Sequence, residues 1–154
     1  EDLNERQRLR AELGKNKRWV EEYLPLIRGS LVRQDIRLMD AFLPLKAPKS
    51  KGNIYEYRNY RVKPGKAREW AKHFAEAMPV REKYSENVCA WITEAGQPNE
   101  VSHLWAYADF KARAEARSAS AKDPGWQAFL GKSGPLLDEM HSTLLIPSAH
   151  SPMQ

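Results

Sequence analysis

The sequence predicts an α+β domain built on a ferredoxin-like β-α-β-β-α-β repeat, and three observations lead there. A strand with two-residue alternation runs through "NIYEYRNYRVKPG" (53–65) and stops at a Pro-Gly turn. One helix later a hairpin is marked by two β-rich runs around Gln97-Pro98. Helix-entry signals also recur at a fixed spacing of 107 positions. Together these give the split β-α-β order.

Each element has a local reason. "EDLNERQRLRAEL" (1–13) opens a charged helix with Asp2 as its N-cap. "AFLPLKAP" (41–48) reads as a strand, followed by the basic linker "KAPKSKGN" (46–53). Within 54–62, Ile54, Glu56, Arg58, Tyr60 and Val62 share one face, and Tyr55, Tyr57, Asn59 and Arg61 the other. A helix from Lys66 to Met78 sets Ala67, Trp70, Ala71, Phe74 and Met78 at helical spacing. "NVCAWITEAG" (87–96) and "NEVSHLWAYADF" (99–110) form the hairpin strands. Asp109 caps a helix running to Ala121, and Asp123-Pro124 supplies cap and first-turn chemistry for a second. "MHSTLLIP" (140–147) is the closing strand.

The 107-residue shift places Asp2, Arg6, Arg10, Lys15 and Trp19 on Asp109, Arg113, Arg117, Lys122 and Trp126. Residues 1–47 therefore read as the rear half, second helix and fourth strand, of a first repeat. Residues 48–53 are the linker, and 54–152 a complete second repeat. By symmetry, the counterpart of 54–107 is expected ahead of Asp2.

Composition narrows the function classes. With 42% hydrophobic and 29% charged residues the chain is an ordinary globular one, and no run reaches the ~20 apolar residues of a membrane span. The net charge of +5 is concentrated in residues 1–53, where twelve Lys and Arg face eight Asp and Glu. No zinc finger, RNP-like strand or phosphate loop accompanies that charge, so no nucleic-acid partner is expected. The lone Cys89 excludes an internal disulfide and fits a reducing compartment. His73, His141 and His150 show no metal-ligand spacing, and no cofactor is expected.

Residues 53–152 resemble the NIPSNAP family. The resemblance rests on "IYEYRNYRVKPG", "CAWITEAGQPNEVSHLWAYADFKARAEAR", "DPGWQAFL" and the ending "LLIPSAHSP", with Tyr57 where Leu is usual and Asn59 where Thr is usual. It implies a dimeric or tandem-repeat α/β barrel in which one sheet packs on another. It also implies mitochondrial or vesicle-associated scaffold roles in eukaryotes. Related barrels include cofactor-independent monooxygenases and isomerases. A cytoplasmic protein is expected, with a mitochondrial one as the alternative.

Small apolar residues suit packing under helices, whereas mixed polar and aromatic ones suit a barrel interior. On that argument Leu104 and Ala106 face the helices. Glu56, Arg58, Tyr60, Trp91, Thr93, His103, Trp105 and Tyr107 then line the interior as ligand-binding candidates. Arg58 could hold an oxyanion and His103 could exchange protons, which makes these two the catalytic candidates. Arg58 could equally form a structural ion pair with Glu56, and His103 could be a hydrogen-bonded core residue. The expected function is a homo-oligomer that binds a small, partly apolar ligand. The alternatives are an enzyme of the monooxygenase or isomerase type and an interaction scaffold.

Overall fold

The computed structural model describes residues 2–154, which form two compact units divided between Ile36 and Arg37. In the first, α1 (Leu3–Leu13) is followed by a π-helical segment (Arg18–Tyr23) that runs into α2 (Leu24–Arg28). Asp2 caps α1 by accepting the Glu5 N–H at 2.9 Å, and Asn16 accepts the Trp19 N–H at 3.0 Å. The same two devices recur 107 residues later. Asp109 accepts the Ala112 N–H at 2.7 Å, and Asp123 accepts the Trp126 N–H at 3.4 Å.

The second unit carries one antiparallel sheet. Its strands are β1 (Leu38–Leu43), β2 (Ile54–Val62), β3 (Glu86–Ala95), β4 (Glu100–Tyr107) and β5 (Leu137–Leu145), in the order β1-β3-β4-β2-β5. The last four are the ferredoxin-like arrangement, and β1 adds an edge against β3. That edge strand starts three residues and ends five residues earlier than the expected 41–48. It stops at Leu43 because Pro44 has no N–H to give the ladder. Three helices follow the βαββαβ order: α3 (Ala67–Arg81), α4 (Phe110–Ala121) and α5 (Pro124–Ser133). A 3-10 turn at Gly134–Leu136 starts β5 earlier than expected, with Leu137 opposite Val62.

α3 does not end at Met78. Pro79 deletes a single backbone bond, and the helix continues for a further turn. That turn matters because Trp70, Phe74, Met78 and Arg81 all lie on the buried stripe.

The direction of the sheet corrects one expectation. Tyr60, Val62, Val101, Trp105 and Tyr107 pack in one cluster with Trp70, Phe74 and Phe129 of the helices. Leu104 and Ala106 belong instead to a smaller cluster on the opposite face, with Tyr55 and Val88. Met153 of the C-terminal tail lies against that cluster, and its carbonyl accepts the Tyr55 hydroxyl at 2.7 Å. The reason is area. Aromatic side chains bury roughly 150–250 Å² each, so the aromatic face gains most from the aromatic helices. The rings interlock accordingly, with Tyr60 edge-on to Trp70 at 5.8 Å and Phe74 edge-on to Trp105 at 6.1 Å.

Candidate functional site

Between this aromatic face and the helices lies a cavity of about 530 Å³. β2 contributes Arg58 and Tyr60 to its wall, and β4 contributes His103 and Trp105. Trp70, Phe74 and Arg81 reach it from α3, Arg117 from α4, and Trp126 and Phe129 from α5. Leu130, Asp138, Glu139 and Met140, all exposed, are also among its lining residues.

Strand register decides which predicted residues meet. Glu56 pairs with Trp105, Arg58 with His103 and Ile54 with Tyr107, so these residues share the helix-facing side. His103 pairs across β3 with Ala90, whereas Trp91 pairs with Ser102. Trp91, and Thr93 two residues on, therefore stand on the opposite face and take no part in the cavity. The eight candidates thus divide. Arg58, Tyr60, His103 and Trp105 line the cavity, Glu56 and Tyr107 are buried on the same face, and Trp91 and Thr93 are excluded. The space they line lies under the helices and not between two sheets.

Glu56 is fully buried and anchors the site. It accepts Arg58 Nη1 at 2.7 Å, Ser142 Oγ at 2.7 Å, and Arg113 through two bonds of 2.8 and 2.9 Å. Arg117 approaches the same carboxylate at 3.7 Å. Burial alone would raise the Glu56 pKa. The Arg113 and Ser142 hydrogen bonds and the Arg58 and Arg117 charges outweigh it and hold the carboxyl at about 2. The Arg58–Glu56 ion pair expected from the strand pattern is therefore present, and Arg58 also donates through Nε to the Tyr60 hydroxyl. Burial keeps Tyr60 a protonated phenol by raising its pKa.

Arg81 is only 4% exposed, and among the described residues no carboxylate pairs with it. Its guanidinium carbon lies 4.6 Å from the Trp105 ring centre and 5.4 Å from that of Trp126, and it donates to Ser85. Aromatic faces stand in here for a counter-ion. Four guanidiniums, those of Arg58, Arg81, Arg113 and Arg117, thus gather around a single buried carboxylate.

His103 is 3% exposed and sits among the rings of Phe74 at 4.7 Å, Tyr60 at 5.0 Å and Trp70 at 5.9 Å. Its Nδ1 accepts the indole N–H of Trp105. An indole nitrogen can only donate, so the neutral ring carries its proton on Nε2. That Nε2–H has no partner among the described residues, and neither has the buried indole N–H of Trp70. Burial pushes the His103 pKa well below its usual value, and the Arg58 charge adds to the effect. The ring is thereby a neutral donor on the cavity wall.

The sequence reading missed Arg81, Arg117, Trp70 and Trp126 as site residues. Arg81 is the next position on the Trp70–Phe74–Met78 stripe and lies just beyond the helix end expected at Met78. Arg113 and Arg117 stand at i,i+4 on α4, a spacing that suits a solvated pair or bridges to acidic partners in an interface equally well. Nothing local shows that both turn toward a buried glutamate on another element.

The NIPSNAP family model matches residues 55–152. Protein NipSnap homolog 1 of Danio rerio is 38% identical over 122 residues, covering 79% of this chain and 44% of its own length. An uncharacterised NIPSNAP domain protein of Burkholderia xenovorans, known as a crystal structure, superposes with a TM-score of 0.61. It is 34% identical and covers 64% of this chain and 98% of its own. A candidate monooxygenase from Lactobacillus acidophilus shares the fold, with a TM-score of 0.60 at 14% identity, over 83% of this chain and 60% of its own. The chain spans less than half the length of NipSnap homologs 1 of Danio rerio and 2 of Homo sapiens, which it resembles.

Proposed function

Since the chain belongs to the NIPSNAP family, whose pattern fills residues 55–152, we propose that it binds a small, flat, partly apolar ligand in the cavity under the helices. One observation carries the reading: two buried ring N–H groups on aromatic residues of the lining, His103 Nε2 and Trp70 Nε1, have no acceptor among the described residues. A buried donor left unpaired costs about 1–3 kcal/mol, which an acceptor on a bound molecule would recover. Indole, imidazole and phenyl rings fit the flat body of such a molecule.

Assembly as a homo-oligomer belongs to the same reading. The sheet face opposite the helices presents Tyr57, Trp91 and Leu104, all half-buried, and packing against a second sheet would cover them. No helix of the described residues is long and apolar enough to cross a membrane. We place the protein in the cytoplasm, where its one thiol would stay reduced; Cys89 Sγ donates to the Leu43 carbonyl at 3.1 Å.

The enzyme reading changes character at this site. His103 holds its proton on Nε2, because Nδ1 accepts from Trp105, so as a neutral ring it is arranged to donate to an oxyanion and not to act as a base. The shared fold of the Lactobacillus protein is compatible with that chemistry but does not require it.

Trp70, Trp105 and Trp126 make the cavity self-reporting. Titration with planar two-ring aromatics should quench tryptophan fluorescence saturably. Ser120→Leu, which fills the cavity from α4, should abolish the response while leaving the fold intact. A response that is linear in ligand, or unchanged in that variant, would rule out binding at this site.

A further inference from the structure

Resting on the ligand-binding reading above, we propose that the ligand is an anion, a planar carboxylate whose charged end meets Arg81, Arg117 and His103 while its flat body lies among the rings. Arg58, Arg81 and Arg117 all line the cavity, and the one buried carboxylate nearby, Glu56, is already saturated. Glu56 accepts Arg58, both arms of Arg113 and the Ser142 hydroxyl, and Arg117 stands farther off at 3.7 Å. Arg81 is buried against Trp105 and Trp126 with no carboxylate partner among the described residues. A guanidinium taken out of water without a counter-ion is costly, and aromatic faces offset only part of that cost.

The remaining polar atoms agree in sign. His103 and Trp70 offer N–H donors with no acceptors, and Tyr60 remains a protonated phenol. The carboxylates of the lining are Asp138 and Glu139. Both are exposed, and Glu139 is engaged by Arg61 at 3.4 Å. The inner wall is thus cationic and donating, whereas the acidic residues stand in solvent. A neutral ligand would leave at least one guanidinium uncompensated, and a cationic one would oppose all three. A carboxylate matches the planar fork of an arginine side chain and accepts from a ring N–H at the same time.

The test compares 2-naphthoate with 2-naphthamide, which have the same ring body and differ in the charge of the head. Tryptophan fluorescence or calorimetry should give the carboxylate at least tenfold tighter binding at neutral pH. Arg117→Gln, at a half-exposed side chain, should narrow that gap several-fold by weakening the carboxylate alone. Arg81→Met should narrow it further if the variant folds, and Arg81→Lys should partly restore it. Equal affinity for the two probes would overturn the anion assignment and leave the ligand-binding cavity standing. Failure of both to saturate would overturn both. A gap that persists undiminished in Arg117→Gln and Arg81→Met would move the charge recognition elsewhere and also defeat the proposal.

Discussion

At the scale of single residues, Glu56 is the organising charge of the site. Its carboxyl is held at about 2, below the ordinary 4.5, so the folded state binds its proton less readily than the unfolded chain does. The stabilisation is therefore fully present above pH ~4.5 and is lost as pH falls toward 2. It amounts to about 3 kcal/mol by the usual conversion of ~1.4 kcal/mol per pKa unit. His103 has the same sign at higher pH. Its folded pKa lies well below 6.5, so stability begins to fall once the unfolded chain protonates there. Urea denaturation from pH 8 to 3 should show both phases. His103→Gln should flatten the curve below about 6.5, and Glu56→Gln should flatten it below about 4.5. Glu56→Gln should also cost about 3–5 kcal/mol at neutral pH, because it strands Arg58 and Arg113. A single unchanged acid transition in both variants would contradict this account.

At the scale of elements, the order of the strands and helices of 54–145 was legible, whereas several bounds and the facing of the sheet were not. Alternation over 54–62, the Asp109 cap and the Asp123-Pro124 start all matched the structure because local chemistry sets them. Which side of the sheet the helices cover depends on area buried between distant segments. The mixed polar face of "HLWAY" looked like a lining, yet Trp70, Phe74 and Phe129 claim it. Trp91 and Thr93 were grouped with the wrong face because the hairpin sets Trp91 opposite Ser102 and Ala90 opposite His103, a register that alternation within each strand does not reveal. β1 offers a test at this scale. Phe42 meets Phe74 edge-on at 6.0 Å, so Phe42→Ala should cost about 2–3 kcal/mol despite its place on an edge strand. Removing the helix cap with Asp109→Ala should cost about 1 kcal/mol. Chemical denaturation of each variant at neutral pH measures both, and a loss below 0.5 kcal/mol for Phe42→Ala would mean that β1 contributes little to the core.

At the scale of the whole molecule, the second unit covers one face of its sheet with its own helices, and the proposed assembly would use the opposite face. Trp91 is half-buried there, so Trp91→Glu should shift the species seen by light scattering toward smaller mass without altering ligand binding. A wild-type monomer across the micromolar range would remove assembly from the proposed function, whereas the cavity, formed within residues 58–140, would be unaffected. Under the proposed function, ligand recognition would fall to the helix-covered side of the sheet and association to its opposite face. The central claim is that the cavity is a donor-lined receptor, and the His103 ring reports on it directly. Long-range proton–nitrogen NMR on histidine-labelled protein should show His103 neutral from pH 8 to 5.5, protonated on Nε2, with that N–H resonance shifting on saturation with 2-naphthoate. A His103 that titrates near 6.5, or an Nε2–H signal indifferent to the added carboxylate, would contradict it.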